Sequence, residues 1–149
     1  MDIQYRPATA DDAQACIALR GMTRENAVSA ERLAQLGITV ESWADDIRSD
    51  RLPGFVCMSA DKMVGYGFGD ALSGEVVVLA LLPQAESRGI GRALLAKVVA
   101  MLRARHFKRL FLGCSADPLV RSYGFYRHLG WCSTGAVDAR GDEILECFP

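Results

Sequence analysis

Residues 81–99 read LLPQAESRGIGRALLAKVV. An apolar run stops at Pro83, a short polar loop follows, and two glycines, Gly89 and Gly91, precede a helical pattern. In that pattern Ile90, Leu94, Val98 and Met101/Leu102 recur at three-to-four spacing, the signature of an amphipathic helix. A strand, a glycine loop and a helix start in this order mark a place where backbone approaches phosphate. The dinucleotide-binding fingerprint needs a third glycine, and Leu94 stands in its place. A Walker A loop needs Gly-Lys-Ser/Thr, which is absent. What remains is geometric. The first amides of the helix lack intrahelical partners and face any anion placed there. Glycine allows close approach. Arg88 and Arg92 add charge. The alternative reading is a plain helix start with two flexible residues.

Working outward, IQYRPA (residues 3–8) alternates and predicts a first strand. A helix follows, with Thr9 as N-cap and Asp11 and Asp12 in its first turn. Residues 29–49 form a second helical region interrupted at Gly37, with Trp43 on what reads as its exposed side. GFVCMSA and KMVGYGFGD predict a hairpin turning at Ala60 and Asp61. GEVVVLALL (74–82) is continuously apolar and predicts a strand covered on both faces. RLFLGC (109–114) reads as a further buried strand. DPLVRSYGFYRHLG (117–130) predicts a helix with Asp117 as N-cap, Pro118 at its first position and Gly130 after its end. WCSTGAVD and EILECFP form a closing hairpin around ARGD. The expectation is a single α/β (α+β) domain over residues 1–149. It has one mixed, mostly antiparallel sheet of about seven strands, flanked by four helices.

The glycine stretch gains meaning from what lies downstream. ESRGIG (86–91) and LVRSYGFYRHLGW (119–131) together resemble two motifs of the GNAT superfamily of acyl-CoA-dependent N-acetyltransferases. Those motifs are Gln/Arg-x-x-Gly-x-Gly/Ala after a strand, and Asn-x-x-Ala-x-x-Phe/Leu-Tyr before Gly-Phe/Trp. The match runs from about Gly74 to Trp131; upstream only the element order agrees. Glu86 stands where Gln or Arg is usual, and Leu119 where Asn is usual. Glu86 brings a like charge to a phosphate site, so its side chain should turn away or pair with an arginine. Leu119 removes a side-chain amide that in the family contacts the pantetheine arm.

The resemblance implies acetyl-CoA as co-substrate and central strands that splay apart. The backbone of Ser87, Arg88, Gly89, Ile90, Gly91 and Arg92 would hold the diphosphate. The amides of the pantetheine arm would pair with Leu79, Ala80 and Leu81 as an added strand. The acceptor would be a primary amine, from a small molecule or a side chain, attacking the thioester directly. Such an amine has a pKa of ~10.4 and must lose a proton. Glu75 is the first candidate to take it and Asp70 the second, the alternative for both being a solvated strand end. The departing thiolate needs a proton, and Tyr126 falls at the tyrosine of the family motif. Its alternative role is core packing. Two other functions stay open: a non-catalytic acyl-CoA-binding regulatory module, and a transferase for another acyl-CoA.

The remaining composition restricts rather than adds. The net charge of −1 gives no general attraction to nucleic acid or anionic membranes. No apolar run approaches the ~20 residues of a membrane span, and the first residues are too polar for a signal peptide, so a cytoplasmic protein is expected. The five cysteines are odd in number and lack a Cys-x-x-Cys pair, which predicts free, buried thiols and no metal site. Cys114 ends a strand near the cofactor groove and invites a nucleophile reading, with burial as the default. His106 and His128 have no metal-ligand spacing. Glu25, Glu31, Glu41, Asp45 and Asp46 would suit a cationic acceptor or simply form a solvated face. A homodimer remains open.

Overall fold

The computed structural model describes residues 2–149. Along the chain come β1 (Ile3–Pro7), α1 (Ala13–Arg20), α2 (Ala30–Gln35), α3 (Val40–Arg48), β2 (Gly54–Ser59) and β3 (Lys62–Gly69). Then follow β4 (Val76–Leu81), α4 (Ile90–Ala104), β5 (Leu110–Cys114), α5 (Arg121–His128), β6 (Cys132–Val137) and β7 (Glu143–Cys147). The strands lie in two antiparallel sheets, ordered β1-β2-β3-β4 and β5-β7-β6. Among the described residues the sheets meet at one isolated parallel bridge, Glu75 to Phe111. The expected seven strands are present, with the splay carried far enough to make two sheets of the expected one. The helical region interrupted at Gly37 forms two helices, so five α-helices surround the strands.

Strand β3 shows how α4 is seated. Its alternating residues Gly65, Gly67 and Gly69 turn one nearly bare face toward α4. A Cβ built on Gly65 would lie 3.2 Å from Leu94, one on Gly67 3.2 Å from Val98, and one on Gly69 3.1 Å from Leu102. The helix presents these three residues at i, i+4 and i+8, so its ridge lies along the glycine track. The opposite face of β3 carries Tyr66 and Phe68, both fully buried. Trp43 of α3 meets them edge-on, with ring centroids 5.6 and 5.4 Å away. The Tyr66 hydroxyl donates to the Cys16 carbonyl of α1 at 3.1 Å. Trp43 is thus buried rather than exposed, because the aromatic face of β3 needs a cover.

Helix α4 also divides its apolar stripe. Ile90 and Leu94 join the core under the first sheet, while Leu95, Val98 and Leu102 join the core of the second sheet with Leu110, Leu112, Trp131 and Leu145. One helix therefore fixes the angle between the sheets. At the other end of the first sheet, buried Asp12 receives two bonds of 2.8 Å from Arg6 and one of 2.8 Å from the Thr9 amide. Burial alone would raise its pKa, but these bonds win and hold its carboxyl below the ordinary carboxylate value.

Three local expectations change. Helix α5 starts at Arg121 with Val120 as its N-cap. Asp117 instead closes a turn, accepting from the Leu119 amide at 2.9 Å, so its side chain is spent before the helix begins. Strand β4 is not covered on both faces: Val77 is exposed and Val78, Leu79 and Leu81 are half-buried, since β4 borders an opening. Of the cysteines, Cys16, Cys57 and Cys114 are buried as expected, Cys147 is intermediate and Cys132 is exposed on the edge strand β6.

Two glycine substitutions separate backbone from side-chain crowding. A Cβ on Gly54 would stand 2.4 Å from the Gly67 carbonyl oxygen, which cannot yield without breaking the β2–β3 ladder. Gly54→Ala should lower unfolding free energy by roughly 1–3 kcal/mol. Gly67→Ala meets side-chain tips and should cost less, as urea denaturation of the two variants would measure.

Candidate active site

The divergence of β4 and β5 opens a groove of ≈ 670 Å³. Its walls are β4 residues 76–81, residues 112–115 of β5 and the loop after it, the start of α4, the inner face of α5 and the loop after α1. The backbone of β4 explains why this space can bind a chain. The Leu82 amide donates to the Val64 carbonyl of β3 at 2.9 Å. Amide direction alternates along a strand, so those of Ala80 and Val78 also face β3, and those of Leu79 and Leu81 face the groove. Beyond the bridge at Glu75 no strand pairs with this edge among the described residues.

At the α4 end the loop is shaped by positive φ at Ser87 (61°) and Gly89 (79°). Gly89 is the N-cap and brings no side-chain cap. The first helical bond runs from the Ala93 amide to the Gly89 carbonyl at 3.0 Å. The amides of Ile90, Gly91 and Arg92 therefore have no helical acceptor, and the positive end of the 15-residue helix points outward with them. Gly91 serves a second need: a Cβ there would lie 3.3 Å from Leu81 and 3.6 Å from Phe125. The Arg92 side chain lines the groove. Arg88 does not; its Nε donates to the Gln84 carbonyl at 3.2 Å. The Ile90 side chain is buried in the first core.

Glu86 pairs with two arginines, one of the outcomes its charge requires. It accepts from Arg24 Nε at 2.8 Å and from Arg121 Nη1 at 3.2 Å. Its side chain is only 13% exposed. Glu25 accepts from the Arg121 backbone amide at 3.2 Å. These contacts tie the loop after α1 and the start of α5 to the α4 loop. Sequence reading did not find Arg24 or Arg121, because both lie far from Glu86 along the chain. The other acidic residues expected near an acceptor stay outside the groove lining, and Asp45 pairs with Arg48 on the surface.

Tyr126 lines the same groove. Its ring packs edge-on against Phe125 and Trp131 at 5.0 and 6.2 Å, and among the described residues its hydroxyl has no hydrogen-bond partner. Burial, with a smaller contribution from Cys114, raises its pKa. The hydroxyl therefore stays protonated across the neutral range. Burial also raises the Cys114 thiol, which disfavours the thiolate a nucleophile needs. Tyr123 faces elsewhere, with the Arg127 guanidinium stacked 3.7 Å from its ring centroid. His106 and His128 are exposed.

Of the residues expected at the site, the structure brings Leu79, Ala80, Leu81, Ser87, Gly89, Gly91, Arg92 and Tyr126 to one groove. Glu75 is not among the groove-lining residues; it sits half-buried at the bridge to β5, directly before Val76, which does line the groove. Arg140 and Asp142, from the β6–β7 turn, line the groove without having been expected there.

A groove between splayed strands, with bare helix amides and a tyrosine on its walls, is the architecture of acyl-CoA-dependent transferases. The family model of the acetyltransferase (GNAT) family matches residues 20–131, and the chain belongs to that family. The fold is similar over its full length to the PaiA N-acetyltransferase of Thermoplasma acidophilum, solved in complex with coenzyme A. The TM-score is 0.84 with 17% identity, covering 100% of both chains. It is also similar to a ribosomal-protein-alanine N-acetyltransferase from Brucella melitensis, with TM-score 0.70, 21% identity, and 98% and 99% of the two chains covered. At these identities the likeness is one of fold. A mycothiol acetyltransferase of Beutenbergia cavernae is 39% identical over 62 residues, 42% of this chain and 20% of that protein. The matched part of the chain thus spans about a fifth of the length of that relative. Among the described residues no helix is long and apolar enough to cross a membrane.

Glu75 offers a test by pH. Burial first, then the neighbouring Asp70 carboxylate, raises its pKa above the ordinary 4.5. The folded chain then holds this proton more tightly than the unfolded chain, so ionisation costs stability as pH climbs through and beyond that value. Glu75→Gln should raise the thermal midpoint at about pH 7 and bring no gain at about pH 4, as calorimetry at the two pH values would record.

Proposed function

We propose that this chain moves an acetyl group from acetyl-CoA to a primary amine by direct attack, with Tyr126 as the general acid. The observation that carries the reading is a single groove holding both the bare α4 amides and the unpartnered Tyr126 hydroxyl. The amides of residues 87–92 are suited to a diphosphate, with Arg92 adding charge and Arg88 contributing backbone alone. The outward amides and carbonyls of Leu79 and Leu81 are suited to the two amides of a pantetheine arm, which would extend the first sheet by one strand.

In the reaction the amine nitrogen bonds to the thioester carbonyl carbon, the carbon–sulfur bond breaks, and the sulfur leaves with the bonding electrons. A backbone amide at residues 79–81 would polarise the carbonyl oxygen as charge develops on it. The thiolate then takes the Tyr126 proton, and the proton shed by the new amide nitrogen restores the phenol. Free thiols and tyrosines lie near ~8.5 and ~10 and burial raises Tyr126 further, so the phenol is protonated and available as donor at neutral pH, while its transfer to the thiolate is uphill and depends on direct contact between the two. The incoming ammonium must shed its proton, and Glu75 is the acceptor we assign, through water, because its raised pKa makes it a stronger base than a solvated carboxylate.

A binding module without turnover has no use for a proton donor beside the thioester. Thiol release measured over a panel of primary amines distinguishes the readings; coenzyme binding with no release for any amine favours the module. Replacing Tyr126 by Phe should leave the dissociation constant for coenzyme A unchanged and lower kcat by roughly ten- to a thousand-fold. Unchanged kcat in that variant removes Tyr126 from the acid role.

A further inference from the structure

Serine 122 carries one of two buried side-chain polar atoms with no hydrogen-bond partner among the described residues; the other is Trp43 Nε1. Buried hydroxyls are ordinarily satisfied, and an orphan costs free energy that Ala would not incur. Ser122 is the second residue of α5, so no preceding helical turn offers its hydroxyl a carbonyl. Trp43 lies inside an aromatic core with nothing to bind. Ser122, in contrast, lines the groove, on the same wall as Tyr126.

Its position along that wall is specific. Ser122 and Tyr126 are i and i+4 on α5, so their Cβ atoms are about 5–6 Å apart on one helix face. In an acyl-CoA the sulfur is followed by two methylenes and then an amide. With the sulfur at Tyr126, that amide falls about one helical turn away. To reach the arm the Ser122 hydroxyl has to turn from its buried position toward the groove, a change of side-chain rotamer. Leu119, the residue expected to lack a contact to the arm, is 91% exposed and supplies none.

Resting on the proposed function, we infer that the Ser122 hydroxyl is a hydrogen-bond partner of the pantetheine amide nearest the thioester. It is a binding residue for the donor, and it holds the sulfur in register with Tyr126. Its orphan state in the protein alone is relieved when the arm arrives.

The test is Ser122→Ala, read by calorimetric titration of coenzyme A and, separately, of its nucleotide half without the arm. Alanine favours helix and deletes an unsatisfied group, so the variant should fold at least as well as the native chain. The expected result is coenzyme A bound about two- to ten-fold more weakly, with the nucleotide half unchanged. Unchanged affinity for coenzyme A overturns the inference, as does an equal loss for both ligands, which marks a general disturbance of the groove. If the native chain binds neither ligand, the acetyl-CoA reading itself falls and this inference with it. Loss confined to the arm-bearing ligand upholds both.

Discussion

The unpaired edge of β4 is the constraint on which the rest of the structure depends. Two cores hold it open. Strand β5 pairs with β7 on one side and meets the first sheet only at the Glu75–Phe111 bridge on the other, and α4 packs Ile90 and Leu94 into one core and Leu95, Val98 and Leu102 into the other. With the helix shared, the sheets cannot close on each other without lifting it off the glycine track of β3. Exposed strand edges are a liability in most proteins, because they recruit other strands. Here the edge borders the groove between the two sheets.

The charges around the groove follow from the same geometry. Bare amides at the start of α4 favour an anion, and a lone carboxylate at Glu86 would oppose it. Arg24 and Arg121 converge on that carboxylate and turn it into a tie between three segments. Exposed ion pairs contribute little on their own. Here only the carboxylate is shielded, and it is shared by two half-exposed arginines that join the loop after α1 and the start of α5 to the α4 loop. The departure at Glu86 is thus compensated by residues that only folding brings near it.

Much of this was legible in residue order, and the misreadings share a cause. The α4 stripe, the two hairpins and the strand order follow from periodicity and turn chemistry, which act between neighbours in the chain. The loop at residues 86–91 stood out because a strand end, two glycines and a helix start lie together in the chain, and the tyrosine at 126 was picked out by resemblance to a family motif, not by local chemistry. Trp43 was misplaced because its cover, Tyr66 and Phe68, lies on another element. Helix α5 begins late because Asp117 closes a turn first, a competition between two local bonds that composition does not decide. The glycines of β3 carry no signal in the order of residues, since their purpose appears only when Leu94, Val98 and Leu102 are laid against them.

The sequence by itself determined which segments become strands and helices, where backbone amides are left bare, and which family of chemistry they suit. Those properties depend on spacing along one chain. Only the tertiary structure decided that the seven strands divide into two sheets, that Glu86 meets Arg24 and Arg121, and that Leu79, Arg92, Ser122 and Tyr126 share one groove while Glu75 stays beside it. Those outcomes depend on how two cores compete for one helix, and on contacts between side chains separated by tens of residues, for which no local pattern carries a signal.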